Sequence, residues 1–268
     1  MRRIVICLMI LGGGAGAVAQ NDPSPSPIFQ VGEQLRYSVK WKFIRLGTIT
    51  MTTVPDADST SQGRVQVVMD VESSRGLPVV DLRERNEAVM DIARMRSLTY
   101  VATHDVNGHH QSLRHTFAPE ERSVTAELTD GEAGLPVTTI LRDVEWYVEG
   151  VTLFFYAREA ARRGGSHTIP TLVNQAMYGT SITIAGRSEE IEIDAVDYPI
   201  RSKRLFGEAE WTGSAAGVTG EFMGWVSDDE ASVMLRAELE IFLGSIDIEL
   251  EQWRRAGWQP PSPMTAAR

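Results

Sequence analysis

Ser232-Val-Met-Leu-Arg-Ala-Glu-Leu-Glu-Ile-Phe-Leu-Gly-Ser-Ile-Asp-Ile-Glu-Leu-Glu-Gln-Trp253 is the stretch that decides the fold class. Val233, Leu235, Ala237, Leu239 and Ile241 alternate with polar neighbours, and Ile246, Ile248 and Leu250 resume the alternation after Leu243-Gly244. Side chains repeat every second residue only in an extended strand, so this is a β-hairpin with one buried face. A tight turn at Leu243-Gly244 predicts Ile241 opposite Ile246, Leu239 opposite Ile248 and Ala237 opposite Leu250. The other face then sets Glu240 against Asp247, Glu238 against Glu249 and Arg236 against Glu251. Opposed carboxylates need water or a bridging cation. A flat strand pair rarely supplies the six oxygens that calcium takes, so a water-facing acidic face is expected.

Working outward, strand signals rich in Val, Ile, Thr and aromatics recur between Gly, Asp, Asn and Pro. Before residue 130 they are Leu35–Trp41, Gly47–Val54, Arg64–Ser73, Val79–Ile92, Leu98–Val106, Ser112–Phe117 and Ser123–Leu128. Later ones are Ile169–Val173, Thr180–Ala185, Glu190–Val196, Arg201–Trp211, Val218–Val226, Ser232–Ile241 and Ile246–Trp253. Turns without intervening helices predict antiparallel pairing. One helix is expected over Val144–Arg163, where Val144, Tyr147, Val148, Val151, Phe154, Phe155 and Arg158 fall at i, i+3, i+4, i+7 spacing. Asp143 would cap it, and Gly164-Gly165 would end it. The fold class is therefore mainly β: a large curved antiparallel sheet, a half-barrel, with one amphipathic helix packed against it.

The ends of the chain carry other signals. Met1-Arg2-Arg3, the apolar run Ile4–Leu11 and Ala17-Val18-Ala19 predict a secretory signal over residues 1–19, cleaved before Gln20. The run is shorter than the about 20 apolar residues a membrane span needs. Cys7, the one cysteine, lies inside the signal with no lipidation pattern around it, so the exported chain is expected in the periplasm without disulfides and without a lipid anchor. Residues 20–30 read as a Ser/Pro linker, 31–255 as a single mainly-β domain, and 256–268 as a loose Pro-rich tail. A net charge of −10, from 26 basic and 36 acidic residues, argues against a general nucleic-acid or anionic-membrane binder.

Catalytic motifs are missing from the sequence. It has no Gly-x-Ser-x-Gly elbow, phosphate loop or His-Glu-x-x-His pair. His104, His109, His110 and His115 cluster around Asn107-Gly108, and Asp105 is beside them, but their spacing fits no tight metal template. Asp228, Asp229 and Glu230 read as turn acids, not as an acid–base pair. Arg201, Lys203 and Arg204, near Trp211, form a basic group able to hold an anionic headgroup or simply to face water. No catalytic residue, metal ligand or cofactor is assigned.

The ordered motifs Phe29-Gln-Val-Gly32-Glu33-x-Leu35-x-Tyr37-x-Val39-x-Trp41, Ile44-Arg-Leu-Gly47, the Asp143-led helix, Trp225-Val-Ser227-Asp228-Asp229 and Gly244-x-Ile246-x-Ile248-x-Leu250 resemble a bacterial exported family of unknown function, DUF3108. At Glu230-Ala231-Ser232-Val233 that family usually has an arginine shortly before a proline, and this chain has neither. The resemblance implies a mostly β exported protein without established enzymatic activity, similar in outline to lipoprotein-carrier folds. Two functions follow as expectations. One is a periplasmic module that binds or helps transport a lipid or other apolar small molecule in a groove walled by Trp41, Phe154, Phe155, Trp211 and Trp225. The other is a structural or assembly protein with a full interior that meets other envelope proteins.

Overall fold

The computed structural model describes residues 26–55, 63–76, 81–131, 134–210, 218–241 and 244–263. The expected signal segment with Cys7, Trp211 and the residues past 263 lie outside the described residues. The strands are β1 (Gln34–Trp41), β2 (Ile44–Val54), β3 (Arg64–Ser73), β4 (Leu82–Asp91), β5 (Arg96–Val106), β6 (His109–Ala118), β7 (Ser123–Asp130) and β8 (Val137–Leu141). The helix α1 (Gly150–Arg163) follows, then β9 (Ser166–Val173), β10 (Ala176–Ile191), β11 (Ile200–Ala209), β12 (Val218–Ser227), β13 (Met234–Ile241) and β14 (Gly244–Arg254).

Among the described residues, fourteen strands form one antiparallel sheet, ordered β8-β7-β6-β5-β4-β3-β2-β1-β14-β13-β12-β11-β10-β9. Each hairpin is local, as expected for a meander, and the first and last strands pair in the middle of the order, Gln34 opposite Arg254. The edges β8 and β9 flank the helix in sequence. They do not pair, yet side chains tie the two ends of the sheet together. Gln175 Nε2, in the β9–β10 turn, donates to the carbonyls of Ala126 (3.1 Å) and Val137 (2.7 Å). A strap between β8 and α1 completes the link. In it, Val144 N donates to Arg122 O (2.8 Å), Tyr147 O accepts from Ser97 N (3.2 Å), and Val148 exchanges bonds with Pro170 and Leu172 of β9.

The helix is shorter than the periodicity predicts. Asp143 has φ of 59°, a left-handed conformation that an N-cap does not use. Val144 N bonds to the β6–β7 turn and Val148 N to β9, so Val144, Tyr147 and Val148 are buried by the strap and not by a helical stripe. Glu149 is the cap, its carboxylate accepting from Val151 N (2.7 Å) and Thr152 N (3.2 Å). Gly150 is the first helical residue. The end is as expected, with Gly164 at φ 73° and its N–H bonded to Ala160 O.

The last hairpin keeps its expected apolar face but not its expected register. Ile241 lies opposite Gly244, Leu239 opposite Ile246 and Ala237 opposite Ile248. The connection uses residues 242–243, one position earlier than Leu243-Gly244, so pairing slips by two and every side chain stays on its own face. The acidic face changes with it. Glu238 opposes Asp247, and Arg236 bridges them, donating to Asp247 at 2.8 and 2.9 Å and lying 2.9 Å from Glu238. A guanidinium, not water alone, separates these acids.

Two further segments differ from expectation. Residues 190–196 make no strand of their own, because β10 runs on to Ile191 through a bulge between Ile184 and Ser188. The edge strand β8 has almost no buried face, hence no apolar alternation to find. The expected linker and tail also pack in part. Ile28 is fully buried, Trp258 Nε1 donates to Asp229 (2.7 Å), and Tyr198 Oη donates to Pro260 O (3.0 Å).

Candidate functional site

The core face of the sheet is occupied where a ligand groove was expected. Phe155 of α1 stacks on Phe29 with centroids 5.1 Å apart, and Phe154 meets Tyr37 edge-on at 6.1 Å. Behind these rings Arg158 is fully buried. Its guanidinium donates to both oxygens of Glu33 (2.8 and 3.0 Å) and to the carbonyls of Ala231 (3.0 Å) and Ser232 (3.1 Å). Arg255 reaches the same carboxylate at 2.5 Å. Burial alone would raise the Glu33 pKa, but Arg158 and Arg255 outweigh it and hold the carboxyl below its usual range. One buried carboxylate thus joins the amino-terminal segment, the helix and the carboxy-terminal segment.

The residues expected to wall a groove do not converge on one. Phe155 is buried in the core, and Phe154 is partly buried against it. Trp41 is at the β1–β2 tip, its ring 4.8 Å beneath Lys42 Nζ. Trp225 alternates with the buried Val226 and so faces away from the core, donating from Nε1 to Glu189 (2.6 Å) under the Arg236 guanidinium. Trp211 lies outside the described residues.

The polar candidates are likewise committed elsewhere. His104 pairs with Glu84 (3.2 Å), His109 with Asp130 (2.7 Å) and His110 with Asp105 (3.7 Å), three separate contacts on the sheet. Among the described residues no group of three or more metal-ligating side chains forms. Arg201 and Lys203 both bind Asp228 (2.6 and 3.3 Å), and Arg204 lies 3.6 Å from Glu189, so the basic group is neutralised within the fold. Asp229 caps its own turn, accepting from Ala231 N and Ser232 N at 3.0 Å each.

Sequence reasoning missed a buried polar row under the strap. Glu149 accepts from Ser97 Oγ (2.8 Å) and from the Thr152 hydroxyl, and burial pushes its carboxyl up. His115 Nε2 donates to Asn174 O (2.6 Å), which leaves Nδ1 as a buried lone pair without a partner. Burial drives this imidazole down to about 4. Only its place in the alternation, with Leu113 and Phe117, could have marked His115 as inward-facing.

A cleft of about 890 Å³ lies over β10–β14. Phe206 and Met223 face each other across β11 and β12, beside Glu208 opposite Glu221. Glu238 and Glu240 form the far wall. Gly207 lies under the Phe222 ring on the opposite, core face, where a Cβ would come 1.9 Å from that ring. The cleft is open, acidic and partly aromatic. It offers hydrogen-bond acceptors and charge, with no paired acid and base and no activated nucleophile.

A family model described as "Protein of unknown function (DUF3108)" matches residues 36–251, most of the chain. The chain belongs to the DUF3108 family. Its sheet is similar to the crystal structure of a beta-barrel-like DUF1849 protein from Brucella abortus, with a TM-score of 0.58 at 8% identity, covering 84% of this chain and 97% of that one. At that identity the likeness shows the fold alone. A Bacteroides fragilis protein with a YmcC-like fold matches over 84% of this chain and 97% of its own at 9% identity, with a TM-score of 0.29. Among curated proteins, none matches the sequence. The mainly-β, open-sheet architecture of this family member agrees with the expectation from its hairpins.

Proposed function

We propose that this DUF3108 protein is a non-catalytic component of the bacterial envelope that acts on other proteins through its surface. The observation that supports this reading is the filled core face, where the Phe29–Phe155 stack and the Glu33–Arg158–Arg255 knot occupy the space a lipid would need. The apolar-ligand reading has less support, because the walls of the cleft over β10–β14 carry Glu208, Glu221, Glu238 and Glu240, which an acyl chain would have to desolvate. A partner segment bearing cations and an apolar side chain suits that cleft better, with Phe206 and Met223 as its contact. The amino-terminal signal pattern supports a role outside the cytoplasm.

Native mass spectrometry of protein isolated from the periplasm tests the first half of the proposal. The expected result is a single apo mass with no uptake of a fluorescent fatty acid; a stoichiometric co-purified lipid would restore the carrier reading. A photo-crosslinking residue at Met223 tests the second half. One dominant protein adduct in intact cells is expected, and no adduct beyond background would remove the cleft as the partner face.

A further inference from the structure

We infer that the β1–β2 hairpin tip is a docking element for a phospholipid bilayer surface. Trp41 and Ile44 close the turn as a cross-strand pair, and Lys42 and Phe43 form it. Phe43 is 91% exposed and Ile44 37%, adjacent positions that gain nothing from the fold's own core. Single exposed apolar residues are ordinary, but an aromatic and an aliphatic side chain at the apex of a two-residue turn are placed to enter another apolar phase.

The charges around the tip fit that phase. Lys40 is held by Asp194 (2.8 Å) and Arg45 by Glu251 (3.0 and 2.7 Å), whereas Lys42 makes no ion pair with any described residue and rests over the Trp41 ring. A lysine above an indole, beside an exposed phenylalanine, is the pattern of an interfacial anchor: rings at headgroup depth, ammonium among phosphates. Lys42 also holds φ of 55°, a region that glycine or asparagine fills more cheaply. The cation is kept at a conformational cost. Elsewhere the protein is acidic, with a net charge of −10, so a phosphate-rich surface would attract this point and repel the body, presenting the hairpin end-on. In an antiparallel meander the β7–β8 connection lies at the same end of the sheet, where Leu135 is 87% and Val137 61% exposed.

The test uses the full chain after signal removal, sedimented with vesicles of phosphatidylethanolamine and phosphatidylglycerol, and with vesicles of phosphatidylcholine alone. Wild-type protein should partition onto the mixed vesicles. Phe43→Asp should lower the partition coefficient at least about tenfold, and Lys42→Glu should lower it several-fold on the anionic vesicles only. Phe43→Ser, at a position that packs against nothing, should keep the thermal transition and still lose binding, which separates docking from misfolding. Equal partition of wild type and Phe43→Asp would overturn the inference, as would binding to neither vesicle. A self-associated species in solution that Phe43→Asp disperses, without any vesicle binding, would overturn it in favour of a second copy as the occupant.

Discussion

Arg158 and Glu33, 125 positions apart in sequence, make a two-pronged ion pair at 2.8 and 3.0 Å with neither side chain reaching water. Truncating Glu33 strands Arg158 in the core, whereas truncating Arg158 leaves Glu33 paired with Arg255. Glu33→Met should therefore destabilise the fold by about 3–5 kcal/mol, read as a lower urea midpoint with an unchanged slope. The double variant Arg158→Met, Glu33→Met should recover part of that loss, since Arg255 then remains as the single unpaired charge.

Acid should unfold the protein in two stages. The His115 pKa sits at about 4 in the fold and near 6.5 in an unfolded chain. The unfolded state therefore takes up a proton first, and stability is full above about pH 6.5 and falls until about pH 4, by about 3 kcal/mol in total. Glu33 acts in the same direction. Its depressed carboxyl contributes stability above its unfolded pKa and loses it as pH falls through the folded value. Urea titrations across this range should show a steep upper limb that flattens in His115→Phe. The His115 ring signals should stay unshifted down to about pH 5 in NMR spectra.

Trp258 should behave as a core residue although it lies past the last strand. It is 8% exposed, packs edge-on to Trp253 at 5.8 Å and donates to Asp229. Trp258→Ala should cost about 3–5 kcal/mol, measured by the thermal midpoint, whereas a deletion starting after Ser262 should cost little.

Gly207 should resist even a methyl group. Its missing Cβ is what lets the Phe222 ring cross β11, so Gly207→Ala should destabilise by about 1–3 kcal/mol through displacement of that ring. Gly207→Ala with Phe222→Leu should regain most of the loss in the same denaturation assay.

The sheet was largely legible because its hairpins are local and their alternation is unambiguous, as at Asn107-Gly108, where both residues take the positive φ such a two-residue turn demands. Period-two patterning fixes the face but not the exact pairing, which is why the final hairpin could slip by two and keep Leu239 and Ile248 inside. The helix start was misplaced because Val144, Tyr147 and Val148 serve a strap whose spacing mimics a helical stripe. Arg158 satisfied that same stripe, but nothing local marks it as the partner of Glu33. The groove residues carry a related ambiguity. Aromatic content says that Phe155 and Trp225 pack against something, not that they do so on opposite faces of one layer.

The pairing of Gln34 with Arg254 has a consequence for biosynthesis. Strand β1 emerges from the ribosome first, yet one of its two flanks stays bare until nearly the whole polypeptide has followed. Two separate meanders can zip early, each from nearest-neighbour hairpins, but their union waits for the final strand, a seam of the greatest possible sequence separation. Loss of the last strand would therefore do more than shorten the protein. It would leave β1 and β13 as open templates side by side, inviting intermolecular pairing before any function is reached.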